Sequence, residues 1–405
     1  MKIKEKTTEL SYYLPEPAKT HTVINIPGSH TLYVGPSSCT RRHCLDAEKH
    51  GDRSKVSFLY VTEADVISGD YEDVIGDAIE ELIQIIEPVP YVFLIAVFCI
   101  DDFLGTDEEA LIAGLEKRFE GRKFTVAHID PVTLGESKKK GVMKKNVNMF
   151  RFIDPSEEKD DSVLIMGNYV DMDPECDFMK MLADSGIGNA REIRTCNTYE
   201  EYQEIGKSRL AIGMRYAPEN MIAYIENKLG IPHYYFAACY DVDYIAKGYG
   251  DISEKLSGRR QDWSERAEET RKYAMETAEL LQGRPVAIDS GASIMVFATA
   301  LALLKYGFNV THVFVSRNLF PFDEEARQIV LKEYPQVKEI RSDDYKEVKA
   351  GKTDEVYLAI GEDCLNFVRE ERHMDIWHDE DYFGFDGVRK CMDKVRESIG
   401  EGGDR

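Results

Sequence analysis

No run of apolar residues in this chain approaches the roughly 18–20 that a membrane-spanning helix requires. Residues 1–10 are polar and mixed in charge, without the apolar core of a secretion signal. These two absences set the expectation of a cytoplasmic protein that does not enter a membrane. No CxxC pair occurs, which argues against a zinc ribbon or a thioredoxin-like centre. Eight cysteines spread over 405 residues do not make a disulfide framework. GxxxxGK[ST] is missing, so the chain itself is not expected to hydrolyse ATP; GxGxxG, HExxH and GxSxG are missing too. Positive charge is scarce. Lys and Arg number 51 against 74 Asp and Glu, a net charge of -23, so non-specific binding to nucleic acid is not expected. The basic residues gather once, over 138–145, either as a solvated loop or as a docking patch for an acidic partner.

What is present is a regular alternation. Residues 56–61 read as a strand. Residues 73–86 read as a helix with Val74, Ala78, Leu82 and Ile85/Ile86 on one face, stopped by Pro88 and Pro90. Residues 91–98 are almost wholly apolar, as a strand buried on both faces should be. A helix over 107–119 and a strand over 124–129 follow. The charged stretch 154–162 marks a break. Strands at 163–166, 210–214 and 233–237 then alternate with helices at 173–185 and 218–229. Residues 252–282 carry Glu–Arg and Glu–Lys pairs at helical spacing and read as a long connecting helix or helix pair. A third unit has strands at 285–289, 311–315 and 356–360, a helix at 294–305, and two more between the last two strands. Another helix opens at Gly361-Glu362 and a final one at Gly384. This pattern predicts parallel sheets with crossover helices. The expected fold is α/β, with three Rossmann-like doubly wound domains, residues 1–157, 158–283 and 284–405, around a central cleft.

Ligands of open parallel sheets bind beyond the carboxyl ends of the strands. Cys39 lies in the turn-forming run Gly35-Pro36-Ser37-Ser38-Cys39-Thr40-Arg41-Arg42-His43-Cys44, after the apolar residues 31–34. Cys99 directly ends the apolar run 91–98 and is followed by Asp101 and Asp102. Single cysteines are usually packing residues, and that is the expectation for Cys176, Cys196, Cys239 and Cys391. Cys39 and Cys99 read instead as a pair of metal ligands. Two thiolates cannot complete a cubane, which usually takes four, whereas a symmetric dimer would supply four on its two-fold axis. Cys44 is either a spare ligand or a buried cysteine on the first turn of the helix it opens. Arg41, Arg42 and His43 are either exposed polar residues or positive charge that stabilises a reduced cluster. Ser290-Gly291-Ala292-Ser293 reads as an anion-binding helix N-terminus or, given the missing glycine fingerprint, more readily as a tight turn. In 372–381 His378 could bind a metal or donate protons, although a lone histidine is more often a surface or capping residue.

Three segments together resemble the component 1 family of nitrogenase-like oxidoreductases, over about residues 24–398. Gly35-Pro36-Ser37-Ser38-Cys39 resembles the family's HGPxGC segment. Cys99-Ile100-Asp101-Asp102-Phe103-Leu104-Gly105-Thr106-Asp107 resembles its C-P-x-x-x-I-G-D-D segment. Tyr382-Phe383-Gly384-Phe385-Asp386-Gly387 resembles its H-G-F/Y-D-G helix start. The resemblance implies three Rossmann-like domains, an iron–sulfur cluster at a subunit interface, and a substrate or second cofactor between the domains. It also implies an electron donor that is a separate dimeric ATPase with its own [4Fe-4S] cluster. By motif match Cys39 and Cys99 take the place of two interface-cluster ligands. The chain departs from the nitrogenase catalytic subunits in three places. Pro27-Gly28-Ser29-His30-Thr31-Leu32-Tyr33 has no upstream cysteine, which points to one shared [4Fe-4S] cluster rather than an eight-iron cluster. Met214 stands where the cofactor cysteine is found, so no iron–molybdenum cofactor is expected. Neither His373 nor His378 aligns with the cofactor histidine, so dinitrogen reduction is not expected.

The resemblance therefore implies a homodimer, or a pair with a paralogous subunit, built around one [4Fe-4S] cluster. An ATP-dependent iron-protein, like component 2, would reduce it. Arg215, Ser290 and His378 would line the cleft for a small-molecule substrate, with tetrapyrroles the class that the simpler members bring closest. Two other readings use the same residues: a scaffold or carrier for metallocofactor assembly, and a redox-inert ligand-binding protein in which Cys39 and Cys99 only pack. The sequence names neither the substrate, nor a second cofactor, nor the proton donor.

Overall fold

The apolar runs of the chain are separated by helical stretches long enough to carry it back across a sheet, and that connection makes strands parallel. The computed structural model describes residues 26–49, 53–129, 149–167, 172–214, 219–316, 319–379 and 382–400. The basic stretch 138–145 and Arg215 lie outside them.

The first sheet holds β1 (Ser29–Gly35), β2 (Val56–Tyr60), β3 (Val92–Phe98) and β4 (Lys123–Ile129), in the order β2-β1-β3-β4. With it go α1 (Ser37–Lys49), α2 (Glu63–Ser68), α3 (Tyr71–Ile85), α4 (Cys99–Leu104) and α5 (Glu108–Arg118). The second sheet holds β5 (Ser162–Met166), β6 (Asn189–Arg191), β7 (Leu210–Gly213) and β8 (His233–Tyr235), in the order β6-β5-β7-β8. Its helices are α6 (Asp177–Asp184), α7 (Tyr199–Glu204) and α8 (Glu219–Leu229). Two long helices follow, α9 (Val242–Ser257) and α10 (Ser264–Leu280). The third sheet holds β9 (Pro285–Asp289), β10 (Asn309–Val315), β11 (Lys338–Arg341), β12 (Asp354–Ile360) and β13 (Val368–Met374), in the order β11-β10-β9-β12-β13. Around it lie α11 (Val296–Lys305), α12 (Pro321–Glu333), α13 (Tyr345–Ala350) and α14 (Gly384–Ser398).

All pairings within the three sheets are parallel. Each sheet runs outward in both directions from the strand that comes first in the chain, so each has a switch point: β1/β3, β5/β7 and β9/β12. Strand β3 is buried along its whole length, as its composition predicts. Its Phe93, Ile95 and Val97 pack on α3 and α5, while Val92 and Leu94 join a cluster shared with Leu164 and Ala211 of the second sheet. Another continuous core joins Val163 and Ile212 of the second sheet to Val286, Ile288 and Leu358 of the third. Among the described residues no helix is long and apolar enough to cross a membrane.

Four local expectations are corrected. The buried face of α3 is Tyr71, Ile75, Ile79 and Leu82, and Ile85 is exposed. Starting the stripe at Tyr71 instead of Val74 keeps a spacing of four, four and three and turns the helix by about one residue. The connecting segment is a helix pair that begins ten residues early, at Val242, and breaks at Gly258, which is left-handed. Gly361-Glu362 opens only a single 3-10 turn, Asp363–Asn366, before edge strand β13. The short edge strands β6 and β11 also escape the sequence pattern, because a polar edge strand lacks a continuous apolar run.

Candidate functional site

Strands β1 and β3 are neighbours in parallel register, with Val34 beside Val97, so the residues that follow them emerge at the same edge. Cys39 sits in the first turn of α1, where its N–H donates to the Pro36 carbonyl at 2.9 Å, and Cys99 is the first residue of α4. Gly35 is required here. A Cβ at that position would lie 2.7 Å from Cδ2 of Phe98, so the end of β1 and the end of β3 touch. Cys39 packs beside Tyr33, Ala96 and Phe98. Neither thiol is in a disulfide, and both are half-buried.

The other members of the arginine-rich run are placed unequally. His43 is half-buried and stacks on Tyr33 with ring centroids 5.0 Å apart, its second ring contact being Phe98 at 5.5 Å. Arg41 and Cys44 are exposed. The expectation that Cys44 is a buried first-turn residue is corrected: α1 opens at Ser37, and Cys44 is well inside it. The side chain of Arg42 lies outside the described residues.

Behind Cys99 the structure gathers acidic and basic groups that sequence reading did not connect. Asp101, in the first turn of α4, is 2% exposed. His128, near the end of β4 and level with Val97 of β3, has Nε2 3.8 Å from Asp101 Oδ2 and 2.7 Å from Glu108 Oε1. Tyr71, the first residue of α3, lies beside Asp101. Burial first, and the Asp101 carboxylate second, push its phenol well above the usual range. Only the Cys-x-Asp spacing hinted at this group, because the histidine arrives from another strand, β4.

The corresponding edge of the third sheet is closed by the chain's own carboxylates. Asp289, at the end of β9 and fully buried, accepts N–H groups from Ala292 (2.7 Å) and Cys364 (2.9 Å), one from each side of the switch point. Asp379 accepts the N–H of Ile294 at 3.1 Å and the hydroxyl of Tyr240 at 3.1 Å. Asp323, from α12, accepts the N–H of Ala298 at 2.8 Å, and burial pushes its carboxyl up to about 7. These bonds use donors at the start of α11 that an anion would need, so the tight-turn reading of Ser290-Gly291-Ala292-Ser293 holds over the anion-binding one. Ser290 and His378, both buried, are brought together. The Ser290 hydroxyl lies 2.8 Å from that of Ser316, and the His378 N–H donates to the Gly291 carbonyl at 2.7 Å. His378 and Asp379 are both left-handed, at φ 48° and 61°, a strained pair held by the bonds of Asp379. His373 Nε2 donates to the Gly361 carbonyl at 3.1 Å.

The Gly384-Phe385-Asp386-Gly387 segment is an exchange of helix caps. Asp386 of α14 accepts the Asp177 N–H at 2.9 Å, and Asp177 of α6 accepts the Phe385 N–H at 2.9 Å. Arg266 of α10 closes on Asp386 at 2.7 Å. Of the cysteines expected to pack, Cys176, Cys239 and Cys391 are buried; Cys196 is half-buried and donates to the Glu192 carbonyl at 3.3 Å.

Among the described residues no three His, Cys, Asp or Glu side chains converge as one metal site. The first edge thus offers a pair of thiols. No curated protein matches the chain. A solved structure of "Nitrogenase Cp1 at pH 6.5" superposes with a TM-score of 0.71 at 15% identity, covering 98% of this chain and 95% of that one. A second, "Nitrogenase Cp1 at pH 5", gives a TM-score of 0.59 at 16% identity, covering 95% and 87%. These likenesses carry the fold. The model of the family "Nitrogenase component 1 type Oxidoreductase" matches residues 19–399. The chain belongs to the nitrogenase component 1 type oxidoreductases.

Proposed function

We propose that the chain is the cluster-carrying component of a two-component iron–sulfur reductase, with Cys39 and Cys99 as its ligands. One observation carries this reading: two half-buried thiols, neither in a disulfide, follow the two strands that flank the switch point of the first sheet. The donor set fits half of a [4Fe-4S] cluster, and a second copy or a paralogous subunit would provide the other two thiolates. When bound, such a cluster accepts and passes on single electrons. The chain's own part is to hold it. Cys39 and Cys99 bind iron, and the Tyr33–His43 stack, with Phe98 tilted against it, backs the Cys39 turn with a wall of rings. Arg41, exposed on α1, offers positive charge on the same helix.

The electron donor in this reading is an ATP-dependent component 2-like reductase, and the setting is the cytoplasm. The substrate is a small molecule of tetrapyrrole type, held by the segments that carry Arg215, Ser290 and His378. No iron–molybdenum cofactor is part of the reading. The test is anaerobic purification or reconstitution, with iron and sulfide counts and EPR. About four irons per dimer, lost in Cys39→Ala and in Cys99→Ala, would support it. A signal that survives in both variants overturns the ligand assignment. A colourless, iron-free protein after reconstitution favours the redox-inert ligand-binding reading.

A further inference from the structure

The helix-cap exchange sets two acids face to face across the boundary between the second and third sheets. Asp177 opens α6, and Asp386 lies in the first turn of α14. Each carboxylate takes a backbone N–H from the other helix start at 2.9 Å. Asp177 is 5% exposed and also accepts the Tyr249 hydroxyl of α9 at 3.2 Å. Arg266 of α10 pairs with Asp386 at 2.7 Å and faces Glu269 at 3.5 Å. Lys390 of α14 lies 3.8 Å from Asp173, just ahead of α6. The neighbouring Cys176 thiol is pushed up to about 11, chiefly by burial. The fit has no slack: a Cβ on the left-handed Gly384 would strike the Tyr249 hydroxyl and the Asp177 carboxylate. Burial first, and the Asp386 charge second, push the Asp177 carboxyl up to about 6, against the bonds from Phe385 and Tyr249. The core that joins the two sheets is continuous, but this contact lies at its rim, where Asp386 is 29% exposed. Such a contact can open locally while the sheets stay folded.

We propose that Asp177 and Asp386 form a proton-operated latch between the second and third sheets, tight when Asp177 is protonated and looser when both carboxylates are charged. A protonated Asp177 still accepts the Phe385 N–H through its carbonyl oxygen, and it no longer repels Asp386 from a buried position. The folded carboxyl holds its proton more tightly than a free one. Its stabilisation is therefore whole below about pH 4 and is lost as pH rises through about 6. From pH 5 to pH 7.5 this linkage raises the opening constant of the latch about tenfold. The latch goes beyond the cluster reading and does not depend on it.

The experiment is hydrogen exchange of the full chain, read by mass spectrometry at several pH values from 5 to 7.5 and corrected for the intrinsic exchange rate at each. Peptides covering the starts of α6 and α14 are expected to exchange about tenfold faster at the top of this range than at the bottom, and peptides from β3 to stay level. Asp177→Asn, which keeps the shape and cannot ionise, is expected to flatten that dependence. A merely structural role speeds exchange in Asp177→Asn by one factor at every pH and leaves the dependence in place. Parallel wild-type and variant profiles therefore overturn the latch, and so does a rise spread over the whole chain. If Asp177→Asn does not fold, Asp386→Asn removes the facing charge and is expected to move the midpoint to lower pH; an unmoved midpoint overturns the proposal. Trp263, whose ring stacks on Phe385 with centroids 5.9 Å apart, gives a second readout. In a Trp377→Phe background its emission is expected to change with a midpoint near 6 and to stay constant once Asp177→Asn is added. Neither readout needs iron, so a chain that binds no cluster leaves this test intact.

Discussion

At the switch point of the first sheet the chain leaves two thiols half-buried. At the switch point of the third it inserts Asp289, whose carboxylate takes N–H groups from Ala292 on one side and Cys364 on the other. The two edges are built the same way, by a strand, a tight turn and a helix, and end in different chemistry. A buried carboxylate that accepts several backbone donors locks two loops together, and those donors are then closed to an outside anion. A thiol packed on one side and open on the other stays available to a metal or to a second subunit. Position at a sheet's carboxyl edge marks where ligands can bind, and the residue in the turn decides which ligand groups find a partner there.

The largest expected effect separates the two edges outright. Cys39→Ala or Cys99→Ala should remove essentially all iron from the reconstituted protein, whereas His378→Gln and Ser290→Ala should retain it. Iron and sulfide counts check this. Equal losses at both edges would break the comparison.

Next in size is Gly361→Ala, which attacks the closed edge from inside. Gly361 has φ 102°, and a Cβ there would fall on the Asp289 carboxylate. Backbone strain and the displaced carboxylate together should cost about 3–4 kcal/mol, read as a lower urea midpoint. Iron content should hold as long as the first sheet stays folded.

A third test uses pH. The Asp323 carboxyl is lifted from 3.8 to about 7, by burial first, with Asp379 and Glu324 adding to the rise against the N–H bonds from Ala298 and Phe297. The folded state therefore holds this proton more tightly than the unfolded one. Its contribution is whole below about pH 4 and is lost as pH rises through about 7, on the order of a few kcal/mol. The urea midpoint of the wild type should fall across that window relative to Asp323→Asn, which has no carboxyl to ionise. Parallel pH profiles would show that the third edge is not held by a neutral carboxyl.

The fold was largely legible because its signals are local. The run 91–98 is apolar at every position but the first, and it became the buried centre of its sheet. The thiol pair was legible too, since each cysteine closes an apolar run. The edge strands β6, β11 and β13 were not: Val368–Met374, for one, is polar and largely exposed between two buried ends and offers no apolar run to find. Nor were the groups that decide each edge. His128 reaches Asp101 from another strand, and Asp323 and Asp379 reach the start of α11 from different segments, so no spacing along the chain joins them. The final glycine-rich segment was found as a helix start. Its cap exchange with Asp177, more than two hundred residues away, shows only when the chains of the second and third sheets are packed together.

The smallest expected effect concerns Cys44, which tests how narrowly the first edge selects its thiols. It follows Cys39 by five residues on α1, and at 3.6 residues per turn the two side chains diverge by roughly 140°. Cys39 turns toward Phe98 and the end of β3, so Cys44 faces away from the switch point, and it is exposed. An exposed helical position carrying no packing is ordinarily worth within about 0.5 kcal/mol. Cys44→Ser should therefore leave the urea midpoint, the iron count and the EPR signal unchanged. It should also remove the most accessible thiol, lowering by one the cysteines that react quickly with a thiol reagent in the apo protein. A drop in iron would mean that α1 turns its other face to the partner subunit, and the pair of thiols would have to be read as three.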